Sequence, residues 1–452
     1  MRSEFGKKLN IVIGGASHGD KLTLEMYGLP VGEKINMDEL CAFMKRRAPS
    51  ESIWSTQRRE RDIPVIVSGI TDGVTDGAVL RAHIPNTGAR SKDYVNLQGV
   101  PRPGHADLPA YLKYGKDFDM SGGGFFSGRM TAPLCLAGGI CLQILKRRGI
   151  TVGAHALSVG CAEDTRFDPV SVSESDLSVL SQRTFPTLSA DAEACMTEEM
   201  EKARREGDSL GGVIECCAVG LPVGIGGGLF DGLDGKIAEA VFGIPAVKAV
   251  EFGAGFSASR LYGSENNDAY RMKNGAPIAV TNNHGGILGG MTSSAPLIFR
   301  VCLKPVPSIA KRQKTVDLKE MRDTEIEITG RHDACIVPRA VPCVEAALAL
   351  SLLDALLCER NAETLSDLRY ELDVTDRALA LMFKKRMRLS GRVAECKRES
   401  GGAVYDPARE AQIIDRVREL TAETCPDEAE ELWRLILRLS REKQEKLLKR
   451  DT

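Results

Sequence analysis

The sequence predicts a mixed α+β domain followed by an all-α domain of three helices. Of the 45 glycines only Gly391, Gly401 and Gly402 lie after residue 360, so 42 belong to the first part. That part alternates short β-rich runs ("IPVIVSGI", "APIAVTNN", "LIFRVCLKPV") with helical ones ("CVEAALALSLLDALLCER"), the pattern of packed sheets and helices. Beyond the polar stretch "ERNAET" the apolar residues fall at helical spacings alone. At 452 residues the chain exceeds the usual size of one hydrophobic core. Residues 1–358 are therefore expected to form the first domain, 359–364 a linker and 365–452 the second.

In the second domain Leu365, Leu368, Leu372, Leu379, Met382, Phe383, Leu389 and Val393 mark one long amphipathic helix to about Lys397. The break "ESGGAVY" ends it, as glycines after a helix usually do. Asp406 followed by Pro407 reads as the cap and first position of a second helix. A third begins at Pro426, with Leu432, Leu435, Ile436 and Leu439 as its apolar stripe.

Composition excludes several classes of function. Lys+Arg 60 against Asp+Glu 62 gives a formal charge of −2, so there is no overall basic field to draw nucleic acid or anionic membrane. Neither is expected as a partner. Thirteen cysteines without a C-x-x-C pair argue against a zinc site or a disulfide framework, and vicinal Cys216 and Cys217 read as packed thiols. No metal is expected. The apolar run "LCLAGGICLQIL" carries two glycines and falls short of a membrane span, so a soluble cytoplasmic protein is expected.

The polar residues of the tail suggest an anion site. Arg386 and Lys397 are eleven apart, about three turns, so they project from one side of the helix roughly 16 Å apart. Two long cationic side chains can close on a dianion in that gap. Ser440 and Gln444 put two hydrogen-bonding groups on one face of the last helix. Arg369, seventeen residues before Arg386, stands roughly 25 Å along the same rod and reaches that ligand only from another protomer. All six histidines precede the linker, so chemistry in the tail has to be electrostatic positioning. Taken singly these residues have plainer readings: Asp406 is a cap, and a charged helical hairpin is an oligomerisation module.

From "LSDLR" through "FKKRMRLSGRVAECKRESGGAVYDPARE" to "RLILRLSREKQ" the tail resembles the all-helical chorismate mutases. The resemblance assigns the family's functional positions to Arg369, Arg386, Lys397, Asp406, Arg409, Glu410, Ser440 and Gln444. It implies an intertwined dimer and the Claisen rearrangement of chorismate to prephenate. That reaction needs no acid, base or nucleophile. It needs two carboxylates compacted and a cation beside the breaking ether oxygen, which Lys397 and Gln444 would supply. An alternative reading keeps the tail as a non-catalytic effector-binding or oligomerisation module.

In the first part "GGASHGD", "PRPGHAD" and "GRHDACIVPRAVP" stand out. His18 follows a β-like run, His105 follows a Pro-Gly turn, and Asp333 adjoins His332. A single histidine in such a place is commonly a structural hydrogen-bonding group; loop placement favours function. "SGGG" at 121–124 and "GIGGG" at 224–228 could approach phosphate but match neither a P-loop nor a Rossmann spacing.

Together "TQRRE", "RSKDY", "RPGHAD", "KYG", "GGILGG" and "GRHD-C" follow the order of the chorismate synthases, which residues 4–358 resemble. The resemblance implies a sandwich of sheets and helices, usually tetrameric, and a 1,4-anti elimination of phosphate from 5-enolpyruvylshikimate 3-phosphate with reduced FMN. His18 would act as acid near the leaving phosphate and His105 toward the flavin, with Asp333 assisting proton removal. Arg47, Arg102, Arg129 and Arg331 would bind the anionic substrate. Flavin contacts would fall on Phe125, Phe126, Ser127, Pro245, Ala246, Gly289, Lys304, Pro305, Val306, Pro307, Ser308 and Arg331. Two departures matter. Phe125, Phe126 and Met130 replace polar residues of the family's "GGGRSSARETA" run, which puts aromatic packing where polar flavin contact is usual. Ile53 replaces the second nucleotide-associated arginine beside Arg47, so NADPH is expected only as a remote reductant, through an external flavin reductase.

Overall fold

Lys21–Tyr27 shows how the first sheet forms. Its Leu22, Leu24 and Met26 are buried and face Ile84, Ala82 and Leu80 of Leu80–Pro85, an alternation with the strand period of two. The strands Arg2–Phe5, Asn10–Gly14, Lys21–Tyr27, Leu80–Pro85 and Val65–Ser68 lie side by side in that order, all antiparallel. A second antiparallel sheet orders Val247–Phe252, Leu297–Leu303, Gly212–Val219, Thr151–Val159 and Ala162–Glu163. In this computed structural model the described residues are 2–49, 62–86, 99–115, 121–273, 275–328, 333–359, 365–400 and 402–449. They divide into two units, Met1–Glu363 and Thr364–Thr452.

The helices of the first unit are α1 (Met37–Arg47), α2 (Asp107–Tyr114), α3 (Thr131–Arg147), α4 (Glu174–Leu180), α5 (Ala190–Arg205), α6 (Leu233–Phe242), α7 (Gly263–Asn266) and α8 (Val337–Cys358). Between the sheets α3 packs toward the first and α8 toward the second, each against the other. The layers are thus sheet, helix, helix, sheet, a mixed α and β sandwich. The two glycines that interrupted the apolar run explain the close fit. A Cβ on Gly138 would stand 2.3 Å from Ala346 Cβ, and one on Gly139 would stand 2.6 Å from Leu40 Cδ1. α3 is therefore bare on two sides, one for α8 and one for α1.

α8 is buried from Val337 to Ala355 apart from Arg339. Its two acidic residues tie distant segments together: Glu345 accepts a fork from Arg46 at 2.5 and 2.9 Å, and Asp354 accepts the N–H groups of Lys7, Lys8 and Leu9. The expectation that the glycine-bearing run falls short of a membrane span is corrected here. Gly128–Arg147 and Val337–Cys358 are both long and apolar enough to cross a membrane by length and composition, yet 83% of each apolar window is buried inside the protein. Both serve as core helices.

The second unit contains α9 (Leu365–Ser400), α10 (Pro407–Leu420) and α11 (Pro426–Lys449), with α11 packed on both others. Asp406 caps α10, its side chain accepting the Arg409 N–H at 3.0 Å. Ser390, Ala394, Ile414, Val417, Leu437, Ser440 and Gln444 are buried between the helices. Of the stripe that marked α9 in the sequence, Leu372, Leu379, Phe383, Leu389 and Val393 remain exposed and Met382 is half-buried, while the side chains of Leu365 and Leu368 lie outside the described residues.

Candidate functional site

A cavity of about 580 Å³ opens in the first unit where the end of α1, the entry to α2, the turn Ser121–Phe126 and the start of α8 converge. That volume suits a medium-sized ligand. On one wall Asp107 binds two partners with one carboxylate. Arg102 reaches it through Nε at 2.7 Å and Nη2 at 2.9 Å, and His105 Nδ1 lies 2.6 Å from Oδ1. Burial raises the Asp107 pKa, but the hydrogen bonds from Arg102 and His105 outweigh it and hold the group far below the carboxylate range. An ionised carboxylate only accepts, so Nδ1 of His105 carries the proton that faces it. Nε2 is left on the far edge, against Gly123. A Cβ there would stand 3.0 Å from His105 Cε1 and Nε2, so the glycine run 121–124 makes room for an imidazole.

Arg47 and Arg129 share Asp62. Arg47 donates Nε at 3.0 Å and Nη2 at 2.5 Å to Oδ2, while Arg129 Nη1 binds Oδ1. Thr131 Oγ1 accepts from Arg47 Nη1 at 3.2 Å, and Asn86 Oδ1 accepts from Arg129 Nε at 3.1 Å. Burial works against the Arg47 charge, but Asp62 outweighs it and raises the pKa. The carboxylate thus fixes both guanidinium planes and offsets part of their positive charge. Beside His105, Lys304 donates to the Gly104 carbonyl at 3.0 Å. Burial, and then Lys248, lower its pKa, and among the described residues no carboxylate pairs with it. Its backbone N–H meets the carbonyl of Ala246, which holds a left-handed φ of 77°, a conformation that side chains take only where surroundings enforce it. Phe125 and Phe126 meet edge to face with centroids 6.3 Å apart, and Phe126, Pro245, Val306 and Pro307 add apolar surface.

Asp333 also lines the cavity and accepts from Arg339 Nη1 at 2.6 Å. Ser308 accepts from Arg102 Nη1 at 3.1 Å, and Ser127 caps the turn that carries Arg129. His18 is not among the lining residues. Its loop joins the same turn through the Ser17 N–H to the Gly124 carbonyl, and Ser17 Oγ lies 3.0 Å from His18 Nδ1. Pro305 is exposed off the cavity, and Gly289 sits in the hairpin Ile287–Leu288 to Met291–Thr292, with open space where a Cβ would be. Arg331, His332, Ile53 and the segments "TQRRE" and "RSKDY" lie outside the described residues.

In the second unit α9 and α11 bring Arg386 to Ser440, whose Oγ accepts from Nη1. Burial lowers the Arg386 pKa, with Glu410 opposing. Lys397 donates to the Val404 carbonyl at 2.9 Å, which returns the chain after the glycine break. Gln444, 8% exposed, has a buried Oε1 with no partner; leaving such an atom unpaired costs about 1–3 kcal/mol. Glu410 accepts from Arg441 at 2.5 Å, and the Arg441 guanidinium lies 4.9 Å from the Tyr405 ring centroid. Arg409 is exposed and donates to Gln412 at 3.2 Å. Arg369 lies on the N-terminal part of α9, its side chain outside the described residues.

The family model described as chorismate synthase matches residues 9–357. The chain belongs to the chorismate synthase family. A second model, chorismate mutase type II, matches residues 368–445. A chorismate synthase of Lancefieldella parvula is 46% identical over 367 residues, covering 79% of this chain and 96% of that protein. One from Korarchaeum cryptofilum is 42% identical over 358 residues, covering 78% and 97%. A crystal structure of chorismate synthase superposes with a TM-score of 0.63 at 26% identity, covering 82% of this chain and 99% of that one. A chorismate synthase part, a lyase, thus precedes a chorismate mutase part, an isomerase, in one bifunctional shikimate-pathway enzyme.

Asp107, Asp62, Arg339 and Arg441 are the site residues that sequence reasoning did not single out. Asp107 stood inside the quoted "RPGHAD", two residues beyond the histidine it orients. For Asp62, Arg339 and Arg441 the pairing partner is known only once the chain is folded.

Proposed function

We propose that the synthase part eliminates phosphate from 5-enolpyruvylshikimate 3-phosphate in the cavity beside His105, and that the mutase part rearranges the resulting chorismate to prephenate. The observation that carries the first half is His105, clamped by Asp107 at Nδ1 with its Nε2 edge against Gly123, in a cavity that Arg102 and Arg129 also line. A substrate with one phosphate and two carboxylates is matched by these cations and by Lys304. The residues also fit reduced FMN: apolar surface at Phe126, Pro245 and Val306 suits a planar ring, and the half-buried Lys304 suits a phosphate. When bound, the flavin supplies an electron transiently and recovers it.

With its Nδ1–H held by Asp107, His105 offers a proton from Nε2 toward the ring system as the imidazolium, and is left as the Nδ1–H tautomer once that proton is given up. His18, on the loop that joins the Ser121–Phe126 turn, is assigned the acid role at the leaving phosphate. Asp333, oriented by Arg339, assists removal of the substrate proton. Arg331, Gly289 and Pro305 remain assigned by family resemblance. NADPH acts only on an external flavin reductase, and a cytoplasmic location agrees with thirteen free cysteines.

For the second half, the unpaired Gln444 Oε1 near the Arg386–Ser440 pair supports a ligand site that is completed from outside. Arg386 and Lys397 grip the carboxylates, Gln444 and Lys397 face the ether oxygen, and Asp406, Arg409 and Glu410 close the far side. Exposed Leu372, Leu379 and Phe383 on α9 support an intertwined dimer in which Arg369 crosses to the partner's site. The synthase part is assigned the tetramer usual in its family.

The test is anaerobic turnover of 5-enolpyruvylshikimate 3-phosphate with dithionite-reduced FMN and product identification. Prephenate supports both halves, chorismate as the end product refutes the second, and absence of phosphate release refutes the first. In the second case the tail is an effector-binding or oligomerisation module.

A further inference from the structure

We propose that Cys135 and Cys343 are a peroxide-reactive thiol pair, reached through Cys343 on the wall of the synthase cavity. Cys135 lies on α3 one turn before Gly138, and Cys343 on α8 one turn before Ala346, the two residues at which those helices nearly touch. Their sulfurs are 3.7 Å apart, with the Cys135 thiol donating toward Cys343. Disulfide sulfurs bond at about 2 Å, so closure asks for a movement of roughly 1.7 Å across a contact that already exists. Vicinal Cys216 and Cys217, by contrast, are successive residues of one strand and point to opposite faces.

Access and activation fall on the same member of the pair. Both thiols are buried from bulk solvent, and Cys343 lines the cavity. The hydrogen bond from Cys135 favours its thiolate; burial opposes, but Arg47, Thr131 and Arg339 add to the hydrogen bond, and the net effect lowers its pKa from the ordinary thiol value. Burial pushes Cys135 up. One is therefore the nucleophile and the other the resolving thiol.

The oxidant is hydrogen peroxide, small enough to enter the cavity. The Cys343 thiolate attacks one peroxide oxygen; an S–O bond forms, the O–O bond breaks, and hydroxide leaves to take up a proton as water. Cys135 then gives up its proton and attacks the sulfenic sulfur; the S–S bond forms, the S–O bond breaks, and a second water departs. Two thiols lose two electrons and two protons, and one peroxide becomes two waters. Closure draws the start of α3, where Thr131 holds Arg47, toward the first turns of α8, where Arg339 holds Asp333. Phosphate release, on the function proposed above, then falls.

The experiment treats the full chain with a few equivalents of hydrogen peroxide, alkylates remaining thiols under denaturing conditions, and maps the digest by mass. The expected result is a peptide pair linked through Cys135 and Cys343, 2 Da lighter than the two reduced peptides and separated by dithiothreitol. Cys135→Ala should abolish the link and leave Cys343 as a sulfenic acid that dimedone traps. Synthase turnover in the treated chain should fall at least about 10-fold and return on reduction, and that return reports that the synthase part stays folded. Quantitative alkylation of both cysteines after peroxide overturns the proposal, and a link with unchanged turnover overturns its consequence for activity. Untreated chain that releases no phosphate counts against the proposed function alone, because the mass map does not depend on turnover.

Discussion

Asp107 Oδ1 lies 2.6 Å from His105 Nδ1 and 2.9 Å from Arg102 Nη2. One carboxylate thus sets both the tautomer of the histidine and the plane of the arginine. Replacing it with an amide keeps the shape but presents N–H groups to Nδ1 and removes a charge from a buried arginine. Asp107→Asn should lower synthase kcat about 10- to 100-fold, with KM changed less than about 3-fold. The mutase rate of the same chain, measured without flavin, should stay at its parent value. Anaerobic phosphate release equal to the parent's would remove Asp107 from the mechanism.

The sandwich makes a sharper demand at Gly138 than at Gly139. At Gly138 an added methyl meets Ala346 Cβ, Cα and carbonyl oxygen at 2.3, 2.4 and 2.8 Å, partly immovable backbone; at Gly139 it meets only the ends of Leu40 and Phe43. Gly138→Ala should cost about 1–3 kcal/mol or more and Gly139→Ala less, because flexible side chains can turn aside. Adding Ala346→Gly to Gly138→Ala should restore part of the loss. Urea midpoints followed by a probe in the synthase part decide the order, and equal midpoints for the two single variants would contradict this account of the α3–α8 contact.

Much of this was legible in the residues, and the limit has a physical cause. Local rules located Asp406 and Pro407 at the start of α10, because a cap acts within a few residues. They placed His105 and Asp107 in one motif for the same reason. They left Asp62 unassigned. Its partners, Arg47 and Arg129, stand 15 and 67 residues away, and nothing local separates it from neighbouring charges. The stripe of α9 was legible as a period, but the period does not say whose surface covers it.

His155 has no exposed surface and lies between two carboxylates, Nδ1 at 3.2 Å from Asp164 and Nε2 at 3.2 Å from Glu215. Burial lowers its pKa, but the hydrogen bonds it donates to both carboxylates outweigh burial and raise it above the ordinary value. A folded pKa above the unfolded value of about 6.5 means that the contribution is complete below pH 6.5 and lost as pH climbs through the folded pKa. For Asp164 burial raises the pKa, but the His155 and backbone hydrogen bonds hold it below its ordinary value, so its contribution is complete above about pH 4 and lost in acid. Hydrogen exchange in Thr151–Val159 should therefore show less protection free energy at about pH 8.5 than at about pH 5.5, and His155→Gln should flatten that difference. An unchanged slope in the variant would mean that the imidazolium is not the group responsible.

Arg441 joins two residues beside the proposed mutase site: its guanidinium lies 4.9 Å from the Tyr405 ring centroid and donates to Glu410 at 2.5 Å. It is part-exposed, so its value lies in geometry more than in net stability. A planar guanidinium stacks flat on the ring and keeps its edge N–H groups for the carboxylate, a geometry that an ammonium does not reproduce. Arg441→Lys should then leave the fold intact but free the Glu410 carboxylate to rotate, raising KM for chorismate about 10-fold with kcat within about 3-fold of the parent. Tyr405→Leu should shift KM in the same direction by a smaller factor, since it removes the stack and keeps the ion pair. The readout is loss of chorismate absorbance over a range of substrate concentrations. A fall in kcat with unchanged KM would place Arg441 in transition-state stabilisation instead of substrate positioning.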